Sequence, residues 1–364
     1  MKQESLSTYD IFCIHALYAG ACAGLIYPSM LINSTIGPLW IPIAVWATAS
    51  LLSGMLYGRL LLKLNGQEIV PFVGKLIGKP FAFLLLLPVL VFMCAAITVI
   101  LRSFTELVSM TLLPTTPMPF MNGMIILPAA LAASGFMPIA RASRALLLTA
   151  IGTILVLIIV SFPSTEWDLA GPWRGPTGDF FTHRDFYAGS FVWMGFIFTA
   201  IIAPYSNQQA KRFQKGFWAG IAFTLALVLC FIYIPTMTFG REMTEALSFP
   251  VVSKMDAIYE YWIIFENLTA IFLSATLLCI LLVLALQLKA VERIVTGIWT
   301  KLPGVWVVAA TMLLVFFIAL FIPEWRNMER FIINSVFLRL YSMFLFPSIV
   351  MLCYFIKQRK AGSV

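Results

Sequence analysis

Ten stretches of the chain are apolar almost without interruption, and the polar residues collect between them. A helix needs about 20 apolar residues to cross a bilayer. The pattern predicts spans over about 9–32, 38–62, 80–107, 119–138, 142–162, 185–206, 217–239, 263–288, 304–322 and 331–356. A tight turn around Arg141 and Arg144 is expected to join spans four and five, which leaves span four short. No polar segment is long enough to form a soluble unit. Residues 1–364 therefore read as a single all-α transmembrane domain.

Composition and charge sharpen this picture. Hydrophobic residues make up 61% of the chain and charged residues 11%, where a soluble domain carries about 25% charged residues. The net charge of +8 could suit nucleic acid or anionic lipid. The basic residues fall in short loops between spans, which fits lipid and topology and not nucleic acid. With the N-terminus inside, sixteen Lys and Arg face inward, Arg59, Lys63, Lys75, Lys79, Arg141 and Arg144 among them. Six face outward: Arg174, Arg184, Arg241, Lys254, Arg326 and Arg330. This bias predicts both termini inside. The first apolar stretch lacks a small-residue cleavage signature, so it reads as a retained helix. All six cysteines lie in apolar stretches without metal-ligand spacing and read as packing residues.

Three loops stand out. Residues 63–79 alternate apolar and basic positions, as in a helix lying along the inner membrane face. The outer loop 163–185 is rich in Gly and Pro. The outer loop 241–262 reads as one amphipathic helix with Met255, Ile258 and Tyr259 on a single face. Both outer loops are long enough to cover a vestibule, and both read equally well as solvated connectors.

Nothing resembles a catalytic constellation. The two histidines, His15 and His183, are far apart in sequence, and no phosphate loop, metal cluster or nucleophile elbow occurs. Neither enzyme activity nor a cofactor is expected. Charges inside spans are expensive and mark function by default. Arg102 and Glu106 lie four apart on one helix face and can pair. Arg339 in span ten needs a partner, with Glu266 or Glu106 the candidates. Span one carries Gly20, Ala21, Ala23 and Gly24 before Tyr27-Pro28, and span six carries Gly189, Gly195 and Pro204. Small residues and proline at matching places in two spans predict broken helices around a ligand site. Close helix packing would explain Gly20 and Gly24 equally well.

Four segments give the chain a family likeness. They are the run ending in Tyr27-Pro28, residues 70–108 with a Gly-Lys loop leading to Arg102, span six ending in Ala203-Pro204, and residues 247–275 with Phe265-Glu266. On these the chain resembles the B subunit of spore germinant receptors, a branch of the amino acid/polyamine/organocation transporter superfamily. The resemblance covers essentially the whole chain. It implies two inverted five-helix repeats (about 9–162 and 185–322, with span ten at 331–356) and a pocket between spans one, three, six and eight. The ligand-binding residues it implies are Gly20, Ala21, Ala23, Gly24, Tyr27, Thr98, Arg102, Gly195, Phe196, Phe198, Thr199, Glu266 and Asn267. It also implies a sensor of amino acids or similar nutrients in the inner membrane of a bacterial spore, with receptor A and C subunits as partners. The chain departs from the family at Ala21 and Ala23, where a Gly-x-Gly is usual. It departs again at Phe198, where some members carry Glu, and at Asn267, where Arg is usual. An amino acid transporter and a structural subunit with a degenerate pocket are the alternative readings.

Overall fold

The protein is described by a computed structural model over residues 6–64, 66–202, 207–258, 268–322 and 325–361. Helices account for all regular structure among these residues. Seven helices are long and apolar enough to cross a membrane: Trp40–Lys63, Lys79–Thr111, Phe136–Ser164, Gln209–Phe239, Leu268–Ile298, Gly304–Phe321 and Val336–Arg359. Two bent pairs raise the number to nine. Thr8–Ala23 and Tyr27–Asn33 meet at 62°, and Arg184–Trp193 and Gly195–Ile202 meet at 45°. The remaining predicted span, the fourth, is the shorter apolar helix Met118–Ser134.

The breaks fall in spans one and six, at residues 24–26 before Pro28 and at Met194 before Gly195; Ala203 and Pro204 lie outside the described residues. In span one the helix stops at Ala23, residues 24–26 form a turn, and a new helix starts at Tyr27. Pro28 sits in the first turn of that second helix, where its missing N–H removes no hydrogen bond. In span six the break is the single residue Met194, immediately before Gly195.

Span one lies at the centre of the molecule. Residues 13–32 are all buried, as expected of a helix that is apolar all round. It packs chiefly on Gln209–Phe239, with further contacts to Leu268–Ile298 and the start of Phe136–Ser164. Gly304–Phe321 is peripheral and exposes Trp306, Leu313, Phe317 and Phe321.

Two local expectations are corrected. The reversal between spans four and five is at Gly135, with φ 117°, a backbone state that glycine adopts readily. Arg141 and Arg144 lie within the following helix and not in the turn. Likewise, the outer segment after span seven is not one helix. It forms Arg241–Ala246 and Pro250–Asp256. Pro250 disfavours helical backbone at Phe249, which sits at φ −131° and ψ 73°. Met255 is buried on the second helix, Ile258 is partly buried, and Tyr259 lies outside the described residues.

The loops before span six and after span seven are docked onto the end of span one. The Thr35 hydroxyl donates to Asp179 at 2.7 Å, and the Ile36 N–H donates to the same carboxylate at 2.7 Å. Arg241 donates to the carbonyls of Thr35, Ile36 and Gly37. Residues 35–37 thus join the loop before span six to the loop after span seven. Lys254, expected in a solvated loop, is buried and donates to Ser164 Oγ at 2.6 Å. Burial lowers the pKa of this ammonium. Partial burial pushes the Asp179 carboxyl up, but the Thr35 and Ile36 donors outweigh it and hold the group below its ordinary 3.8.

Two predictions follow from this clamp. The folded carboxyl of Asp179 titrates below the unfolded one, so its contribution is complete above the unfolded value and fades as pH falls through the folded value. Asp179→Asn should therefore destabilise the purified protein by about 1 kcal/mol at neutral pH. Thermal unfolding should show that gap closing as the medium is taken from about pH 6 to about pH 3. Gly37 is the second case. A Cβ there would stand 2.2 Å from the Pro176 carbonyl oxygen, a contact between two backbones. Gly37→Ala should lift the loop and speed tryptic cleavage at Arg174, and an unchanged cleavage rate would contradict the docked arrangement.

Candidate functional site

The two broken spans cross each other at their breaks. Gly195 lies directly over Tyr18, so closely that a Cβ on Gly195 would stand 2.6 Å from the Tyr18 ring. Immediately after the span-one break, Tyr27 accepts a hydrogen bond from Trp193 Nε1 at 3.3 Å, and its ring faces Phe191 at 6.3 Å. A glycine is needed at 195 because the tyrosine fills the space a side chain would take.

A break in a membrane helix frees backbone groups that must find partners within the protein. In span six these partners come from side chains on spans one and two. Tyr18 OH donates to the Phe191 carbonyl at 2.7 Å. Ser50 Oγ donates to the Trp193 carbonyl at 2.8 Å, and Trp46 Nε1 to the Phe186 carbonyl at 2.9 Å. These carbonyls are engaged by side chains of the protein itself.

Of the residues singled out in the sequence, Tyr27, Gly195 and Phe198 gather at the crossing. Phe198 stacks between Tyr18, with centroids 5.7 Å apart, and Phe92, at 5.9 Å. Ala21 and Ala23 are fully buried. Gly20 and Gly24 serve close packing. A Cβ on Gly20 would meet Ile151 at 2.7 Å, and one on Gly24 would meet Phe272 at 3.0 Å. Phe196 lies on the other side of its helix, against Tyr57 and Phe217. Thr98 is buried and its hydroxyl donates to the Cys94 carbonyl. Thr199 is buried next to Phe198 in sequence. Glu266 and Asn267 lie outside the described residues.

Beside the crossing is a narrow crevice of about 20 Å³. Span one contributes Tyr18, span three Phe92 and Val99, and span six Phe191. Its far wall is Ile332, Ser335 and Arg339, from the helix Trp325–Asn334 and the start of Val336–Arg359. Sequence reading missed Tyr18, Phe92, Phe191 and Ser335 as neighbours of one space. The aromatics carry no signal in sequence, being ordinary residues of apolar helices. Two larger hollows, of about 320 and 280 Å³, are open grooves at the molecular surface away from the breaks.

The intramembrane charges divide in two. Arg102 pairs with Glu106 on the same helix face, as the spacing predicted, and its Nε donates to the Ile322 carbonyl at 3.1 Å. Arg339 does not pair with Glu106. Its Nε donates to Ser190 Oγ at 2.9 Å, one terminal nitrogen to Ser335 Oγ at 3.0 Å and the other to the Ile332 carbonyl at 2.7 Å. It is 3% exposed, and no carboxylate among the described residues reaches it. At the start of span one, Asp10 caps its own helix through Ser7 and is held by Arg144, whose Nη2 donates at 2.8 Å. His15 is buried against Phe217, and neither ring nitrogen has a hydrogen-bond partner.

Comparisons with known proteins agree with this architecture. No curated protein matches the sequence. Among solved structures, Mhp1, a nucleobase-cation-symport-1 family transporter in a closed conformation with bromovinylhydantoin bound, superposes with a TM-score of 0.65 at 12% identity, covering 96% of this chain and 79% of that one. A manganese transporter of Eremococcus coleocola gives 0.63 at 13% identity, covering 92% and 76%. MhsT in complex with L-phenylalanine gives 0.62 at 10% identity, covering 98% and 99%. The fold is that of the LeuT-type transporters, with its broken helices. The family of spore germination proteins matches residues 5–329. With nearly the whole length matched and the transporter fold in place, the chain belongs to the spore germination protein family, which is not a family of enzymes.

Proposed function

We propose that this chain is the nutrient-sensing membrane subunit of a spore germinant receptor. The observation that carries the reading is the crossing of two broken spans beside an enclosed crevice, in a chain of this family. A small nutrient, an amino acid or a molecule of similar size, binds where the breaks meet. The residues assigned to it are Tyr27, Thr98, Gly195, Phe198 and Thr199, with the small residues of span one and Arg102; Glu266 and Asn267 are assigned on the family resemblance alone. The Phe198 ring favours ligands with an apolar side chain. The partners are the A and C receptor subunits, and the site of action is the inner spore membrane with both termini inside. Residues 9–162 and 185–322 are the two repeats.

Binding signals by favouring one arrangement of the helices over another. The bias passed to the partner subunits is bounded by the ligand's difference in affinity between the two arrangements. The clamp at residues 35–37 is a rigid route outward from span one to both outer loops.

Dipicolinate release from spores tests the sensor. Spores lacking this chain should lose the response to one nutrient in a panel of amino acids, sugars and nucleosides. The wild-type gene should restore it, and Gly195→Trp, which cannot fit over Tyr18, should not, although its product accumulates. A full response from Gly195→Trp would remove the crossing from the site.

Transport is the second reading, favoured by the likeness to ligand-bound transporters. Proton coupling has the weaker support: of the two candidate relay groups near the start of span one, Asp10 is tied to Ser7 and Arg144, and His15 is buried against Phe217. Proteoliposomes holding the purified chain should show no uptake of the nutrient that an uncoupler dissipates. Uptake of that kind would make the protein a proton-coupled transporter.

A further inference from the structure

We infer that Arg339 is the anchor for a small carboxylate, and that the ligand of this site is a monovalent organic acid with an apolar substituent. The inference deepens the proposed function and rests on it for the place of binding. Its basis is a charge with no counter-charge among the described residues. Arg339 is 97% buried in the wall of the crevice, and its three recorded partners, Ser190, Ser335 and the Ile332 carbonyl, are all neutral.

A guanidinium has five N–H donors, and these contacts use three. Ser335 Oγ and the Ile332 carbonyl lie 2.9 Å apart and take the end-on pair of terminal N–H groups, so a carboxylate is gripped side-on, by Nε and the free N–H of Nη2, in place of Ser190 Oγ. A buried charge is tolerated in a protein when it is paired. In a membrane span an unpaired one points to a functional partner. The crevice supplies the space beside it. Its volume of about 20 Å³ is enough for one water-sized group, such as a carboxylate oxygen or a halide. The rest of an organic acid would have to part the aromatic side chains that close the crevice.

Those side chains decide what the remainder of the ligand can be. Phe92, Val99 and Phe191 line the space, and Tyr18 has its hydroxyl engaged by the Phe191 carbonyl. Among the described residues that line the crevice, Arg339 is the single basic one. A second carboxylate would be left without a partner, which excludes diacids. Arg339 also reaches Ser190, in the stretch Arg184–Trp193 that precedes the span-six break. An anion taken by Arg339 competes with that contact, so occupancy is coupled to the position of span six against span ten.

The test is direct binding to the full-length chain in lipid nanodiscs, followed by thermal unfolding. The probes are L-leucine, isovalerate, leucinamide and sodium chloride against sodium gluconate. Leucine and isovalerate should each raise the unfolding temperature, and leucinamide, which lacks the carboxylate, should not. Arg339→Gln should weaken both acids at least tenfold, and Arg339→Lys, which keeps the charge and loses the two-pronged fork, should weaken them less than Arg339→Gln. Where Arg339→Gln fails to accumulate, Ser335→Ala with the same probes gives a smaller loss of the same kind. Chloride that competes with isovalerate supports one shared anion position. Equal effects of leucine and leucinamide, undiminished acid binding by Arg339→Gln, or a chloride effect that isovalerate does not displace would each overturn the inference. A nutrient response in spores triggered by neutral compounds alone would overturn it too, while leaving the sensor reading intact.

Discussion

The structure depends on the close crossing of span one and span six. Gly195 admits the ring of Tyr18, and the hydroxyl of that ring restores a hydrogen bond to the Phe191 carbonyl. In water a broken helix loses little, because solvent takes over its free carbonyls. In a bilayer each one left unsatisfied costs several kcal/mol. The break in span six therefore exists only together with the side chains that cap it, and Ser50 and Trp46 of span two complete the set. Local sequence and distant packing are tied to each other at this point.

The same requirement recurs in span ten. A π-helical segment, Tyr341–Leu345, interrupts its regular ladder. The Ser342 and Met343 carbonyls accept hydrogen bonds from Tyr57 and Ser53 of span two. Tyr341 in turn donates to the Leu85 carbonyl of span three, three residues before the internal Pro88. Irregular turns in spans three, six and ten are thus connected by hydroxyl groups on neighbouring helices. Such a network allows a small displacement at the crevice to reach span ten and span two without exposing polar backbone to lipid.

The intramembrane arginines show how position alters the meaning of one residue type. Arg102 has a carboxylate one turn along its own helix, so its charge is balanced locally. Arg339 has hydroxyl and carbonyl partners only. In the sequence Arg102 had Glu106 one turn away, whereas Arg339 needed a partner from another span. The difference arises because Glu106 shares a helix with the first, and the second meets side chains brought from spans far away in the chain.

The sequence by itself determined the membrane class, the approximate span positions and the two interrupted helices. Each of these depends on local content: runs of apolar residues long enough for a bilayer, and glycine and proline at places a regular helix disfavours. It also determined the Arg102–Glu106 pair, since a spacing of four puts both on one face. Only the tertiary structure decided that the turn before span five falls at Gly135, that Phe198 and Phe196 face opposite ways, and that Tyr18, Phe92, Phe191 and Arg339 border one crevice. An apolar helix bound for a protein interior and one bound for lipid have nearly the same composition, so the inward face of a span cannot be read from its residues. That face is set by contacts between segments up to hundreds of residues apart, and those contacts exist only once the helices have packed.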